Sequence, residues 1–164
     1  HEGELQPEKR IESVSAATLL SVFESNAVVP ALWLKHLHRF LKRELRGGAP
    51  AALAVLSARV GSITDNGKGG WYAYRASKAA VNMLVKTSAI EYQRSLPALR
   101  FIAFHPGTTD TSLSKPFQRS VPEGKLFTPA FVAAALLARL DDAMASQPSE
   151  AAQFLAYDGD QIPW

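Results

Sequence analysis

Tyr74 and Lys78 stand four residues apart at the start of a helix-forming segment, Tyr-Arg-Ala-Ser-Lys. Residues at this spacing lie on one face of a helix, so the phenol and the ammonium are expected to be neighbours. A phenol with a pKa of about 10 exchanges protons slowly at neutral pH, but a nearby cation favours the phenolate and lowers that pKa. The pair therefore predicts a general acid, although the same spacing also occurs on ordinary solvated helix faces.

Three short apolar segments have the pattern of buried strands. Residues 51–57 lie between Pro50 and a glycine-bearing loop, residues 100–105 end at Pro106-Gly107, and residues 153–157 precede Asp158-Gly159. Continuous apolar runs of this length are typical of parallel strands that are covered on both faces. The Tyr74–Lys78 pair follows the first of these strands.

Helical segments separate the strands. The first predicted helix covers residues 15–45 and stops at Gly47-Gly48, with Pro30 inside it. Because proline has no N–H to donate, the carbonyl of Asn26, four residues earlier, is expected to be free. The second helix covers residues 71–95. The third begins at Thr128, a good N-cap followed by proline, and reaches about residue 144.

Alternating strands and helices predict an α/β fold with a doubly wound parallel sheet. The order begins on a helix, and no glycine-rich strand-to-helix turn able to hold a pyrophosphate is present. We therefore expect residues 1–164 to be a single domain, the C-terminal portion of a larger one whose N-terminal dinucleotide-binding half lies outside this sequence. On its own this portion is expected to be inactive. The connection over residues 112–127 is long enough to act as a lid.

Composition excludes several classes of protein. With 164 residues, 47% of them hydrophobic, the chain can bury a real core, and without cysteine it has no disulfide or thiolate. A reducing, cytoplasmic location is expected. The net charge of +3, densest over residues 35–46 where a helix ends, favours a solvated face over a nucleic-acid surface. The longest apolar run, residues 130–138, is too short for a bilayer, so no membrane partner is expected. His36 and His38 point in different directions on a helix, and no metal site is predicted.

Several segments together resemble the short-chain dehydrogenases/reductases, and within them the C-factor-like, carbonyl-reductase-like branch. They are YRASKAAVNM from Tyr74, SARVGSITDNGKGGW from Ser57, HPGTTDT from His105 and the closing FLAYDGDQIPW. The resemblance implies a Rossmann-like fold and hydride transfer between a nicotinamide cofactor, NADP or NAD with NADPH favoured, and a small carbonyl or alcohol substrate. It also implies that Tyr74 is the general acid or base and that Lys78 binds the nicotinamide ribose and lowers the pKa of Tyr74.

The same resemblance assigns further roles. The backbone carbonyl of Asn26 would hold a water that leads to Lys78; the alternative is a helix-kink asparagine with only a local hydrogen bond. The turn after the strand at residues 100–105 would contact the nicotinamide, although it can also be interpreted as an ordinary polar turn. Its implied cofactor-binding residues are Pro106, Gly107, Thr108, Thr109 and Thr111.

One position departs from the family pattern. A serine that binds the substrate oxygen is usual three residues before the loop glycine, but Ala58 stands there, before Gly61. Ser57 and Ser62 are the candidate replacements, and Ser57 is expected to point to the opposite face. Without this donor catalysis is expected to be slow. The alternative function is therefore a cofactor-binding regulatory or signalling protein with little turnover.

A homo-oligomer, dimer or tetramer, is expected from the helix over residues 71–95. Its apolar residues form two faces, one with Ala76 and Met83 and the other with Val81 and Val85. A sheet can cover only one of them. The resemblance implies that the second copy covers the other across a twofold axis.

Overall fold

The protein folds as a parallel sheet with helices on both faces. The structure is a computed structural model that describes residues 7–146 and 150–164. Strands β1 (Ala51–Leu56), β2 (Leu99–His105) and β5 (Ala152–Ala156) form the sheet in the order β1-β2-β5. Both pairings are parallel, with Leu56 opposite Phe104 and His105 opposite Ala156. The predicted α/β doubly wound sheet is confirmed, and each strand lies within one residue of its predicted bounds.

Within the described residues, four α-helices flank this sheet: α1 (Ala16–Phe23), α2 (Val29–Glu44), α3 (Tyr72–Gln93) and α4 (Pro129–Ala145). The apolar residues of the sheet divide between two cores. Phe101 and Phe154 pack with Val81 and Val85 of α3 on one face. On the other face, Ile102 and Phe104 pack with α4. Alternate residues of β2 therefore contact opposite helix layers, as strand geometry requires.

The first predicted helix is interrupted before Pro30 rather than at it. Glu24–Val28 forms a π-helical turn between α1 and α2, and the N–H of Val29 donates to the carbonyl of Glu24. The predicted interruption is confirmed, but it takes the form of an inserted wider turn, which often occurs at functional sites. Asn26 lies inside this turn.

The N-terminal segment contributes more than the predicted loop. Residues 1–6 of that prediction lie outside the described part of the chain, while Ile11–Ser13 forms a short 3-10 helix. The Glu8 carbonyl accepts from the N–H of Trp71 at 2.6 Å, and its buried carboxylate accepts from the N–H of Ala73 at 3.3 Å. Glu8 therefore anchors the start of α3, where a negative charge is stabilised by the helix dipole.

The predicted lid is partly ordered by two short strands. β3 (Thr108–Thr109) pairs in parallel with β4 (Leu126–Phe127), and Lys115–Ser120 forms a 3-10 helix between them. Two-residue strands leave no periodic signal in a sequence. The pairing closes the long connection back onto the turn that follows β2.

The segment Ala16–Glu44 is long and apolar enough, by length and composition, to cross a membrane. Core helices of soluble proteins and signal sequences meet the same criterion. Only 11% of its most apolar stretch is buried. Its exposed apolar side chains include Leu20, Val29, Leu32, Trp33 and Phe40. This segment therefore presents an apolar surface that the other described residues do not cover.

Candidate active site

Tyr74 and Lys78 lie together at the carboxyl end of the sheet. The Lys78 ammonium donates to the carbonyl of Leu56, the last residue of β1, at 3.1 Å. The same Nζ lies 5.8 Å from the centre of the Tyr74 ring. The predicted proximity of the two side chains is confirmed, and both are half-buried. In doubly wound sheets, ligands bind at this edge.

The expected lowering of the Tyr74 pKa is wrong for this structure. Burial raises the pKa of the Tyr74 phenol above its ordinary value, and burial lowers the pKa of the Lys78 ammonium. Both shifts have the same physical cause, since a poorly solvated site disfavours the charged form of either group. The Lys78 nitrogen bonds to a backbone carbonyl rather than to the phenol oxygen. Spacing alone predicts proximity, whereas the direction of the shift depends on solvation.

Gly61 allows the loop after β1 to approach α3 closely. A Cβ at Gly61 would lie 2.7 Å from the carbonyl carbon of Lys78 and 2.8 Å from its Cβ. Such distances are well inside van der Waals contact, so only glycine fits beside this helix. The absence of a side chain at Gly61 thus allows the loop to lie directly against the backbone of Lys78.

The candidate serines both hydrogen-bond within the protein. Ser57 Oγ donates to Asn82 Oδ1 at 2.5 Å, and Asn82 Nδ2 donates to the carbonyl of Gly61 at 3.3 Å. Ser62 Oγ accepts from the N–H of Asp65 at 3.0 Å. Both serines are buried, and Ala58 between them is buried as well. Both hydroxyls therefore form hydrogen bonds that stabilise the loop after β1.

Asn26 bonds to the first turns of α3 through its side chain. Its Nδ2 donates to Ser77 Oγ at 3.1 Å, and that hydroxyl donates to the carbonyl of Tyr74 at 2.9 Å. Ser77 is fully buried. The structure thus brings Asn26 next to the helix that carries the predicted acid. This side-chain bond was not predicted, since the sequence pointed to the backbone carbonyl of Asn26.

The turn after β2 has the shape that its glycine permits. Gly107 has φ +71°, and a Cβ there would lie 2.7 Å from the Phe127 ring. Thr109 and Thr111 follow, and Ser114 Oγ fixes them by donating to the Thr109 carbonyl at 2.6 Å and accepting from the Thr111 N–H at 3.2 Å. The predicted contact residues Pro106, Gly107, Thr108, Thr109 and Thr111 therefore form one turn beside β4, in which the first four are half-buried and Thr111 is exposed.

A cavity of about 310 Å³ lies beneath this turn and the lid. Its wall includes Trp71, whose ring centre is 6.2 Å from that of Tyr74. Trp71 has the left-handed φ of 55°, a strained conformation for a large side chain that often marks a functional position. Sequence reasoning missed part of this lining because it comes from distant segments. The residues concerned are Trp71, His105 and Tyr157, whereas Phe117, Lys125 and Phe127 belong to the predicted lid.

His105 lies at the end of β2 and lines the cavity. Its Nδ1 is buried and has no hydrogen-bond partner among residues 7–146 and 150–164. Burial lowers the pKa of His105 to about 4, the charge of Arg59 adds to that shift, and Asp158 opposes it. The imidazole is therefore neutral at physiological pH.

Of the two helix histidines, His38 is half-buried and His36 faces solvent. His38 Nε2 lies 3.2 Å from Ser95 Oγ, and the His38 ring packs 4.5 Å from the ring of Tyr92. His36 is exposed. The part of the chain that the structure describes contains no group of three or more His, Cys, Asp or Glu side chains that could hold a metal.

Comparison with known proteins identifies the family. The short chain dehydrogenase family model matches residues 5–121. The chain belongs to this family. It is 33% identical over 114 residues to 1-hydroxy-2-glutathionyl-2-methyl-3-butene dehydrogenase of Rhodococcus sp. (strain AD45). The aligned region covers 70% of this chain and 47% of that protein. It is 32% identical over 120 residues to C-signal of Myxococcus xanthus, covering 73% of this chain and 65% of that protein.

The family fold is also found in a solved structure of an NADPH-bound carbonyl reductase from chicken fatty liver. This protein superimposes with a TM-score of 0.77 at 24% identity, over 94% of this chain and 60% of that one. The chain thus spans about half to two thirds of the length of the relatives it matches. The chain is therefore a member of the short chain dehydrogenase family with sequence similarity to C-signal and the fold of a carbonyl reductase.

Proposed function

We propose that the complete protein is an NAD(P)-dependent oxidoreductase that reduces a small carbonyl compound, with Tyr74 as the general acid. The observation that carries this proposal is the Tyr74–Lys78 pair on one face of α3, with the Lys78 nitrogen 3.1 Å from the last carbonyl of β1. That edge also carries the turn from Pro106 to Thr111. A candidate acid, a cation and a polar turn therefore all lie at the carboxyl edge of the sheet, where doubly wound sheets bind ligands, which supports the proposal.

The residues present fit the nicotinamide end of such a cofactor. Lys78 is a half-buried ammonium whose described partner is a single carbonyl, so it has donors left for ribose hydroxyls. Gly107, where a side chain would not fit, lets the turn approach a ring closely. Pro106, Thr108, Thr109 and Thr111 would contact the nicotinamide. NADPH is the favoured cofactor, in keeping with the NADPH-bound carbonyl reductase of similar fold. When bound, the nicotinamide supplies the hydride.

Tyr74 would donate its proton to the carbonyl oxygen as the C=O bond becomes an alcohol C–O–H. The raised pKa of the phenol keeps it protonated before the reaction, and the charge of Lys78 would stabilise the phenolate left behind. A proton from solvent then restores the phenol, by way of a water held at the carbonyl of Asn26. The π-helical turn supports this route, because it contains Asn26 and packs against α3.

A second candidate function is a cofactor-binding signalling protein with little turnover. Ala58 favours it, since the donor that orients the substrate oxygen is missing and the hydroxyls of Ser57 and Ser62 already have partners. The identity to C-signal of Myxococcus xanthus points the same way. The two functions differ in whether the cofactor is consumed.

The deciding experiment follows NADPH oxidation by the complete protein against a panel of aldehydes, ketones and quinones. Tyr74→Phe is expected to lower kcat by roughly 10²–10⁴-fold while leaving the Kd for NADPH nearly unchanged. Tyr72→Phe, two residues away and exposed, is the matched control and should retain activity. Undiminished turnover by Tyr74→Phe would exclude the acid role. Cofactor binding without turnover by the unaltered protein would favour the signalling function.

A further inference from the structure

The cavity lined by Trp71, the aromatic neighbour of Tyr74, has aromatic walls. The rings of Trp71 and Phe117 are 5.2 Å apart, and those of Phe127 and Tyr157 are 4.4 Å apart. Phe127 also stacks on Phe131 at 4.8 Å. Rings packed against one another hold their positions, so these walls are preformed surfaces for a flat apolar ligand. A volume of about 310 Å³ suits a compound with a single aromatic ring.

Lys125 supplies the positive charge of this cavity. Its ammonium donates to the Tyr157 hydroxyl at 3.2 Å and lies 6.0 Å from the centre of that ring. No salt bridge of Lys125 occurs in the described ranges, and no acidic side chain lines the cavity. The other basic side chain of the lining, His105, is neutral at physiological pH because burial lowers its pKa to about 4. The cavity thus combines apolar walls with one cation that has no anionic partner.

We propose that this cavity binds an aromatic carbonyl compound that carries an anionic substituent, such as a carboxylate, and that Lys125 selects for that substituent. The aromatic ring lies between the ring walls, and the carboxylate accepts a charge-assisted hydrogen bond from the Lys125 ammonium. Tyr157 holds that ammonium in place through its hydroxyl. This inference rests on the proposed function for the orientation of the carbonyl toward Tyr74, and it adds the class of substrate.

Two aldehydes of matched shape test the selection. The complete protein is assayed with NADPH and either 4-carboxybenzaldehyde or the neutral 4-cyanobenzaldehyde. The expected kcat/KM is about fivefold higher for the carboxylate, mainly through KM, because an exposed ion pair contributes modestly. Lys125→Met should remove that preference by lowering kcat/KM for the carboxylate to about the value for the nitrile. Lys115→Met is the control, since Lys115 is exposed on the same connection but does not line the cavity.

A binding measurement keeps this inference separate from the proposed function. Isothermal titration calorimetry with each aldehyde, without NADPH, gives Kd values that do not depend on turnover. Tighter binding of the carboxylate that is lost in Lys125→Met supports the inference even if neither aldehyde is reduced, in which case the proposed function fails on these substrates. Equal Kd values for the two aldehydes, or a preference that survives Lys125→Met, would overturn the inference while leaving carbonyl reduction intact.

Discussion

Ser57 Oγ and Asn82 Oδ1 are joined by a hydrogen bond of 2.5 Å in the interior between β1 and α3. The bond gives the hydroxyl of Ser57, the serine adjacent to Ala58, an acceptor inside the protein. Its hydroxyl points to the α3 side of the strand end and already has an acceptor, and Asn82 continues the network to the carbonyl of Gly61. Ser57 therefore has a structural role, because its hydroxyl helps to hold the loop after β1 against α3.

Substitutions at these two positions should separate structure from catalysis. Ser57→Ala leaves the buried Asn82 oxygen without its donor and should cost about 1–3 kcal/mol of unfolding free energy, with KM nearly unchanged. Ala58→Ser restores the missing donor and should raise kcat by about tenfold or more. Denaturant unfolding and steady-state kinetics on the complete protein measure the two effects. An Ala58→Ser variant with unaltered kcat would mean that another group already orients the substrate oxygen.

Gly61 should tolerate no side chain. Gly61→Ala would push the loop away from the Lys78 backbone, since the added carbon would lie within 2.7 Å of it. We expect the free energy of unfolding to fall by about 1–3 kcal/mol. We also expect kcat to fall in protein that is still folded, because Lys78 moves relative to Tyr74. Gly67→Ala is the matched control, because Gly67 lies in the same loop and has no atom within 4 Å of the added carbon. This variant should retain both the stability and the kcat of the unaltered protein.

The secondary structure around the site could be predicted, because it follows from local patterns. The strand at residues 51–56 is apolar between a proline and a glycine loop, and Thr128 caps α4 by accepting from the N–H of Phe131. Residues at i and i+4 share a helix face, which is sufficient to bring Tyr74 and Lys78 together. These features depend on the neighbouring sequence alone.

Contacts between distant segments could not be predicted in this way. Lys125 meets Tyr157, 32 positions away, only because β4 pairs with β3 and brings the lid to the end of β5. Glu8 reaches the start of α3 across 65 positions of sequence. The direction of the Tyr74 pKa shift also depends on burial by the whole fold, so the Tyr-x-x-x-Lys pattern could not supply it.

His105 should make the protein sensitive to acid. Its pKa of about 4 in the folded protein lies below the ordinary value of 6.5, so the unfolded state binds more protons between these values. The free energy of unfolding should therefore fall as the pH drops from about 7 to about 4, by roughly 2–3 kcal/mol from this residue. Urea unfolding at a series of pH values measures the effect.

Substitution tests whether His105 is the source. His105→Gln should flatten the pH dependence by that amount, since glutamine does not titrate. His36→Gln, at an exposed position on α2, is the matched control for the substitution itself. An identical slope in His105→Gln and in the unaltered protein would assign the acid sensitivity to other groups.

The exposed face of α3 should form an interface between copies of the chain. Val81 and Val85 are fully buried against the sheet, whereas Met83 and Ile90 on the other face are 66% and 50% exposed. The neighbouring α2 adds the exposed Trp33. Apolar side chains on two adjacent helices favour a twofold pairing, in which the same surface meets itself and each substitution acts twice.

Met83→Arg should therefore convert the oligomer to a monomer in multi-angle light scattering, because two buried arginines would face each other across the axis. Leu113→Arg is the control: Leu113 is 80% exposed but lies in the lid, so the mass should not change. A monomeric unaltered protein, or an oligomer that survives Met83→Arg, would contradict the interface. Recovery of the complete protein only from the membrane fraction would instead assign the apolar side of Ala16–Glu44 to lipid, since that segment meets the length and composition of a membrane span.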